Sequence, residues 1–181
     1  MTDRHNKQID VLYRAHINEL FAYAIGFGFD SDTSMDAIHD VFCRICAEKP
    51  LVGNVANIRA YLFRSVKNRL LDIRKTRHDT PAPVDEIAEM VPFRIETSVE
   101  DELIEDEEQA QLKRKVEQLL KNLTDRQREI IWLRYEQNFD YESISQIMCI
   151  TESSCRKLIH KTISKLREQA WKVSLLFLIH F

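Results

Sequence analysis

The sequence predicts an all-α fold of two small helical domains joined by a flexible acidic linker. Glycine and proline are scarce, 3 and 4 among 181 residues, whereas sheets with tight hairpins need such turn residues. Apolar side chains recur at three- and four-residue spacing through most of the chain. Charge, finally, divides the chain into three blocks. Residues 1–78 hold 12 basic and 9 acidic groups, residues 79–111 hold 1 and 12, and residues 112–181 hold 13 and 8. The overall net charge of −3 therefore hides two mildly basic blocks around a bridge of net −11. That asymmetry points to polyanion contacts at both ends of the chain. A hydrophobic content of 44% supplies enough apolar material for a core and argues against wholesale disorder.

The elements follow in order. Residues 9–25 read as a helix, because Ile9, Leu12, Tyr13, His16, Leu20, Tyr23 and Ala24 share one face and Gly26 and Gly28 stop it. The run Asp30 to Ser34 offers N-caps for a second helix whose stripe is Ile38, Val41, Phe42 and Ile45. Pro50 and Gly53 break that pattern and leave a loop. A third helix, 57–77, carries Ile58, Leu62, Val66, Leu70 and Ile73 on one side. Residues 79–111 form the linker; Pro81, Pro83 and Pro92 sit among acids there, and no stable secondary structure is expected over 79–100. Helical spacing resumes at Leu112 and continues through Val116, Leu119 and Leu120. Thr124 with Gln127 fits a capping box for a helix over 125–137. Asp140 caps a short helix, 141–148, and Thr151 caps a last one, about 152–170.

Two of these helices carry chemistry. Residues 59–77 contain Arg59, Arg64, Lys67, Arg69, Arg74, Lys75 and Arg77 against the single acid Asp72, interleaved with Tyr61 and Phe63. Cations neutralise phosphates and aromatic faces stack on exposed bases, although a solvated amphipathic helix has the same composition. The helix 141–148, a three-residue turn and the helix from 152 have helix-turn-helix proportions, which a plain three-helix domain shares. In the last helix Cys155, Ile159, Thr162, Ile163 and Leu166 fall inward, while Ser153, Lys157, His160, Lys161 and Ser164 fall outward.

The chain resembles extracytoplasmic-function (ECF) sigma factors of the bacterial sigma-70 family. Asp36-Ala-Ile-His-Asp-Val-Phe42 is similar to the family's polymerase-clamp helix, and Tyr61-Leu-Phe-Arg-Ser-Val-Lys-Asn-Arg-Leu-Leu-Asp72 to its promoter-melting helix. Leu123 to Tyr135 resembles the opening of the family's C-terminal domain, and Tyr141 to Met148 the first helix of its helix-turn-helix. The order and spacing of these four stretches carry the resemblance, which covers about 9–77 and 112–168.

The resemblance implies a sigma region 2 domain over 1–78 and a sigma region 4 domain over 112–181, serving promoter recognition and strand opening. Asp36, His39, Asp40 and Arg44 would face bacterial core RNA polymerase. Lys49, Asn54, Asn57, Arg59, Arg64, Lys67, Asn68, Asp72 and Lys75 would engage the −10 promoter element. Ser153, Ser154, Arg156, Lys157, His160 and Lys161 would meet the −35 element. The acidic linker would thread through the polymerase near its RNA path. An anti-sigma factor is a further candidate partner. His39 stands where many relatives carry Gln, and Lys157-Leu158 stands where they often carry a Ser-Arg pair.

Other readings have less to stand on. His39, Cys43 and Cys46 share a helical face with zinc-like spacing but lack an obvious fourth ligand, so no metal and no cofactor is assigned. A helix-turn-helix regulator that never joins the polymerase would leave 36–77 unexplained. No P-loop, Gly-rich dinucleotide turn or serine elbow occurs, so no enzyme is expected. The opening MTDRHNKQ is polar, and the apolar run Trp171 to Phe181 is too short for a bilayer, so a cytoplasmic protein without a membrane span is expected. Apolar partner-binding surfaces at both ends, with a linker that buries little, favour a compact closed form of the free chain.

Overall fold

The computed structural model describes residues 2–47, 57–78, 92–95 and 107–179, and among them every regular element is helical. The N-terminal half comprises α1 (Thr2–Gly26), α2 (Ser31–Ala47) and α3 (Ile58–His78). The C-terminal half comprises α4 (Glu107–Lys121), α5 (Asp125–Ile131), α6 (Tyr141–Met148) and α7 (Glu152–Ile179). The capping chemistry read from the sequence is present. Gln127 N donates to Thr124 Oγ1 at 3.3 Å while Thr124 N donates to Gln127 Oε1 at 3.0 Å. Asp140 accepts from Ser143 N at 2.8 Å, and Thr151 Oγ1 accepts from Ser154 N at 3.1 Å.

Four boundaries differ from the sequence expectation. Helix α1 begins at Thr2, seven residues early, and α7 runs to Ile179 rather than stopping near 170. Helix α4 starts at Glu107, inside the segment read as linker, where acidic residues suit the positive end of a helix dipole. The expected helix 125–137 is not uniform: after Ile131 it widens into a π turn, Trp132–Glu136, closed by Gln137 N donating to Trp132 O at 3.1 Å. That turn directs Trp132 and Leu133 into the core.

One continuous core spans both halves. Leu20, Tyr23, Phe27, Phe63 and Val66 from the N-terminal half meet Ile130, Trp132, Leu133, Phe139 and Ile144 from the C-terminal half. Tyr23 stacks on Trp132 with ring centroids 5.4 Å apart, and Phe63 meets Phe139 edge-on at 4.9 Å. Each such aromatic pair contributes about 0.5–1.5 kcal/mol beyond its buried area. Helix α6 packs directly on α3, so the first helix of the helix-turn-helix lies against the basic helix of the other half.

The described piece of the linker is part of this core. Residues 92–95 form neither helix nor strand, yet Phe93 is 1% exposed. Its ring sits 5.1 Å from Phe27 and 5.9 Å from Trp132. Phe93 N donates to Asp125 Oδ1 at 2.7 Å, Phe93 O accepts from Arg128 Nε at 2.5 Å, and Arg94 N donates to Gly26 O at 2.7 Å. Gly26 is required by this approach: a Cβ there would lie 2.8 Å from Phe93 Cε2.

Candidate nucleic-acid interface

Helix α3 presents its polar residues on two faces. Arg64, Asn68, Asp72 and Lys75 are exposed and, at 100° per residue, fall within about 80° of one another. Arg59 and Lys67 lie on the other side, beneath the C-terminal half. Lys67 is only 5% exposed, and its Nζ donates to Glu129 Oε1 of α5 at 2.6 Å. The same oxygen accepts from Tyr23 Oη at 2.6 Å, so one cation neutralises, and one hydroxyl further satisfies, a carboxylate that is itself 3% exposed. Burial, and then the charge of Glu129, hold the Tyr23 phenol well above its ordinary pKa and keep it a donor.

Arg59 is the second tie between the halves. Its guanidinium grips both carboxylate oxygens of Glu19 and donates to the Gln137 carbonyl and side-chain oxygens, each at 2.8 Å. It also lies 4.2 Å from the centroid of Phe139, where a partly desolvated cation–π contact adds about 1 kcal/mol. Asn57 caps α3 through Ala60 N and donates from Nδ2 to Ser143 Oγ at 2.8 Å. Three members of the expected −10 set are thus engaged with the C-terminal half, while four face outward. Lys49 and Asn54 lie outside the described residues.

The expected polymerase face is a single exposed strip of α2, made of Asp36, His39, Asp40 and Arg44 over a buried Phe42. Two of its members already have partners: His39 Nε2 lies 3.0 Å from Tyr13 Oη, and Asp40 pairs with Arg69 at 2.6 Å. Cys43 and Cys46 are exposed on the same helix. Among the described residues no group of three or more His, Cys, Asp or Glu side chains is placed to hold a metal ion.

The helix-turn-helix is built around an αL residue. Cys149 closes α6 at φ 53°, a conformation costing an L-residue about 1 kcal/mol, and the turn lets α7 start three residues later. Cys155, Ile159 and Thr162 are buried beneath α7, and burial pushes the Cys155 thiol up to about 11. The expected −35 set, Ser153, Ser154, Arg156, Lys157, His160 and Lys161, is exposed throughout. Arg156 is steadied by Glu152 and lies 4.3 Å from the Tyr141 ring centroid, whereas Lys157, His160 and Lys161 have no such partner among the described residues.

Sequence reasoning missed Glu129, Tyr23, Gln137 and Phe93, the groups that engage or cover α3. Two signals were available. Glu129 is an acid directly before the apolar run Ile130 to Leu133, and Phe93-Arg94 are the linker's single aromatic and single cation.

The family model described as "Sigma-70, region 4" matches residues 113–166, from α4 through the helix-turn-helix. A curated relative, the ECF RNA polymerase sigma factor SigM of Bacillus subtilis (strain 168), is 19% identical over 160 residues, covering 88% of this chain and 93% of that protein. Among solved structures, the sigma factor RpoE of Bartonella quintana, in complex with the anti-sigma factor NepR, has a similar fold. The TM-score is 0.61 at 18% identity, with 91% of this chain and 97% of that chain covered.

Proposed function

We propose that the chain is an ECF-type member of the sigma-70 family and acts as a dissociable RNA polymerase subunit that recognises promoters and opens them. The observation that carries this reading is the region 4 match laid over a helix-turn-helix whose outer face is free. In this reading α7 meets duplex DNA at the −35 element, the outer face of α3 handles the separated strands, and the α2 strip meets core polymerase. Chemistry stays with the polymerase; the chain itself is a specificity subunit, not an enzyme. It works in the cytoplasm, a reading supported by its similarity to an ECF sigma factor, whose polymerase and promoter partners lie there.

The described arrangement is the resting state. Arg59, Lys67 and Asn57 are held against the C-terminal half, so promoter opening requires the halves to part. An anti-sigma factor would need only to stabilise this closure. Separation costs the buried ties and is offset by the larger polymerase and promoter interface.

Run-off transcription with bacterial core polymerase tests the assignment. The chain should confer promoter-dependent initiation, and Asn68→Ala with Asp72→Ala should cut permanganate reactivity of the melted bases about tenfold or more while polymerase binding persists. Unchanged reactivity would remove α3 from strand opening. Labels at Asn68 and Lys161, both exposed, should lie closer in the free chain than in the holoenzyme; equal or longer free distances would exclude the closed resting state.

A further inference from the structure

Helix α2 carries two thiols on the face that the proposed function gives to polymerase. All four cysteines of the chain are free, and Cys43 and Cys46 are the pair that shares one helix and one exposed face. At 100° per residue Cys43 lies about 20° from Asp36 and about 40° from His39, and Cys46 lies about 20° from His39. The thiols therefore sit within the strip of Asp36, His39, Asp40 and Arg44. The backbone beneath them is held on both sides. Phe42 and Ile45 are 5% and 1% exposed, Tyr13 packs edge-on against Phe42 at 5.1 Å, and Asp40 is tied to Arg69 of α3.

On such a helix, residues three apart have Cβ atoms about 5–6 Å apart, whereas a disulfide needs about 3.5–4.5 Å. Joining the sulfurs directly would unwind the last turn of α2 and lift Ile45 out of the core. An ion between them removes the mismatch, because metal–thiolate bonds of about 2.3 Å space two sulfurs by up to about 4.6 Å. Two thiolates are too few for zinc or an iron–sulfur cluster, which take four ligands, and among the described residues no larger group of His, Cys, Asp or Glu is placed to hold a metal. The soft ion that thiolates select and that two of them satisfy is monovalent copper.

From this juxtaposition we infer that Cys43 and Cys46 form a two-coordinate site for monovalent copper, and that the bound ion bars polymerase from α2. The second half rests on the sigma-factor reading; the first does not. Binding releases both thiol protons. Two thiolates and one monovalent ion leave a single negative charge, which the exposed Arg44 beside Cys43 offsets. Coupling is reciprocal, so polymerase should weaken copper binding by the factor by which copper weakens polymerase binding. Cys149, exposed at the turn after α6, and Cys155, buried beneath α7, stand on other elements and take no part.

Anaerobic titration of the reduced full-length chain with monovalent copper, against a chromogenic copper chelator, provides the test. One ion per chain should bind, and X-ray absorption should show two sulfur neighbours. Cys43→Ser and Cys46→Ser should each cut affinity by more than the roughly hundredfold that loss of an outer-shell partner reaches, and Cys149→Ser should leave it unchanged. In native gels the loaded chain should bind core polymerase about tenfold or more weakly than the ion-free chain, and Cys43→Ser should bind it equally with and without copper. No uptake, uptake that survives either serine variant of the pair, or equal polymerase binding by the loaded and ion-free chain would each overturn the inference. An ion-free chain that does not bind polymerase would remove the competition and the sigma-factor reading together, while uptake, read without polymerase, decides the site by itself.

Discussion

Helices α3 and α7 look alike as sequence and behave oppositely as structure. Both carry cations and small polar groups at helical spacing beside an apolar stripe. In α3 the opposing half supplies Glu129 and Gln137, and the neighbouring α1 supplies Glu19, so Lys67 and Arg59 become structural. In α7 nothing comparable among the described residues faces Lys157 or Lys161, and both are exposed. The cations of a basic helix are thus open to an outside partner only where no carboxylate of the chain competes for them.

Removing the competitor should have the largest effect. Glu129→Ala leaves Lys67 as a buried, unpaired charge and should cost about 3–5 kcal/mol in the closed form, read by denaturant unfolding and by the distance between labels at Asn68 and Lys161. Lys67→Met with Glu129→Leu, combined with Tyr23→Phe so that no buried hydroxyl loses its acceptor, replaces the cluster by apolar groups of similar volume and should recover most of that loss. A triple variant as damaged as the single one would show that charge pairing is not what ties α3 down.

Alkali should loosen both sides next, α3 through Tyr23 and α7 through Cys155. Tyr23 and Cys155 both have folded pKa values raised above their unfolded ones, by burial first. Their contribution is therefore complete below the unfolded values and is lost as pH rises through the folded ones, from about pH 9 upward. Thermal unfolding should fall in that range, and Tyr23→Phe should flatten the upper part of the fall. A flat profile between pH 9 and 11 would contradict the burial of both groups.

Smaller effects belong to the α7 side. Asp140→Ala removes the cap of α6 and should cost about 1 kcal/mol. The hydrogen bonds from Ser143 lower the Asp140 pKa, so this contribution is present above the ordinary carboxylate range and disappears as pH falls through the depressed value. Lys157→Ala should change stability by less than about 0.5 kcal/mol, because that side chain is exposed and is held by no hydrogen bond or ion pair among the described residues. A larger change would mean that α7 is covered after all.

The sequence made the helices legible because their signals are local. The limits 141–148 are those observed, since Asp140 and the turn at Cys149 bracket a short run with a clear stripe. Helix 125–137 was harder, because a π turn keeps apolar residues at helical spacing and leaves no Gly or Pro to mark it. The outer face of α7 could likewise be read from spacing, whereas the α2 strip came with the family resemblance. The ties across the halves could not. Lys67 and Glu129 are 62 residues apart, and Tyr23 and Glu129 are 106 apart, so no window of the sequence contains both partners. The role of Phe93 was hidden for another reason. A single aromatic among twelve acids reads as solvated linker until a pocket is there to receive it.

That pocket has a genetic consequence. Phe93 fits only because residue 26 has no side chain, and its backbone is pinned by Asp125 and Arg128, so the ring has nowhere to retreat. Gly26→Ala adds one methyl at the end of α1, where alanine is the better helix former by about 1 kcal/mol. The N-terminal half should fold at least as well, yet Phe93 and its segment of the linker should be evicted. A selection for alleles whose product is held open should therefore return to codon 26. Such an allele should be dominant, because an unrestrained copy competes for the same polymerase whatever the wild-type copy is doing.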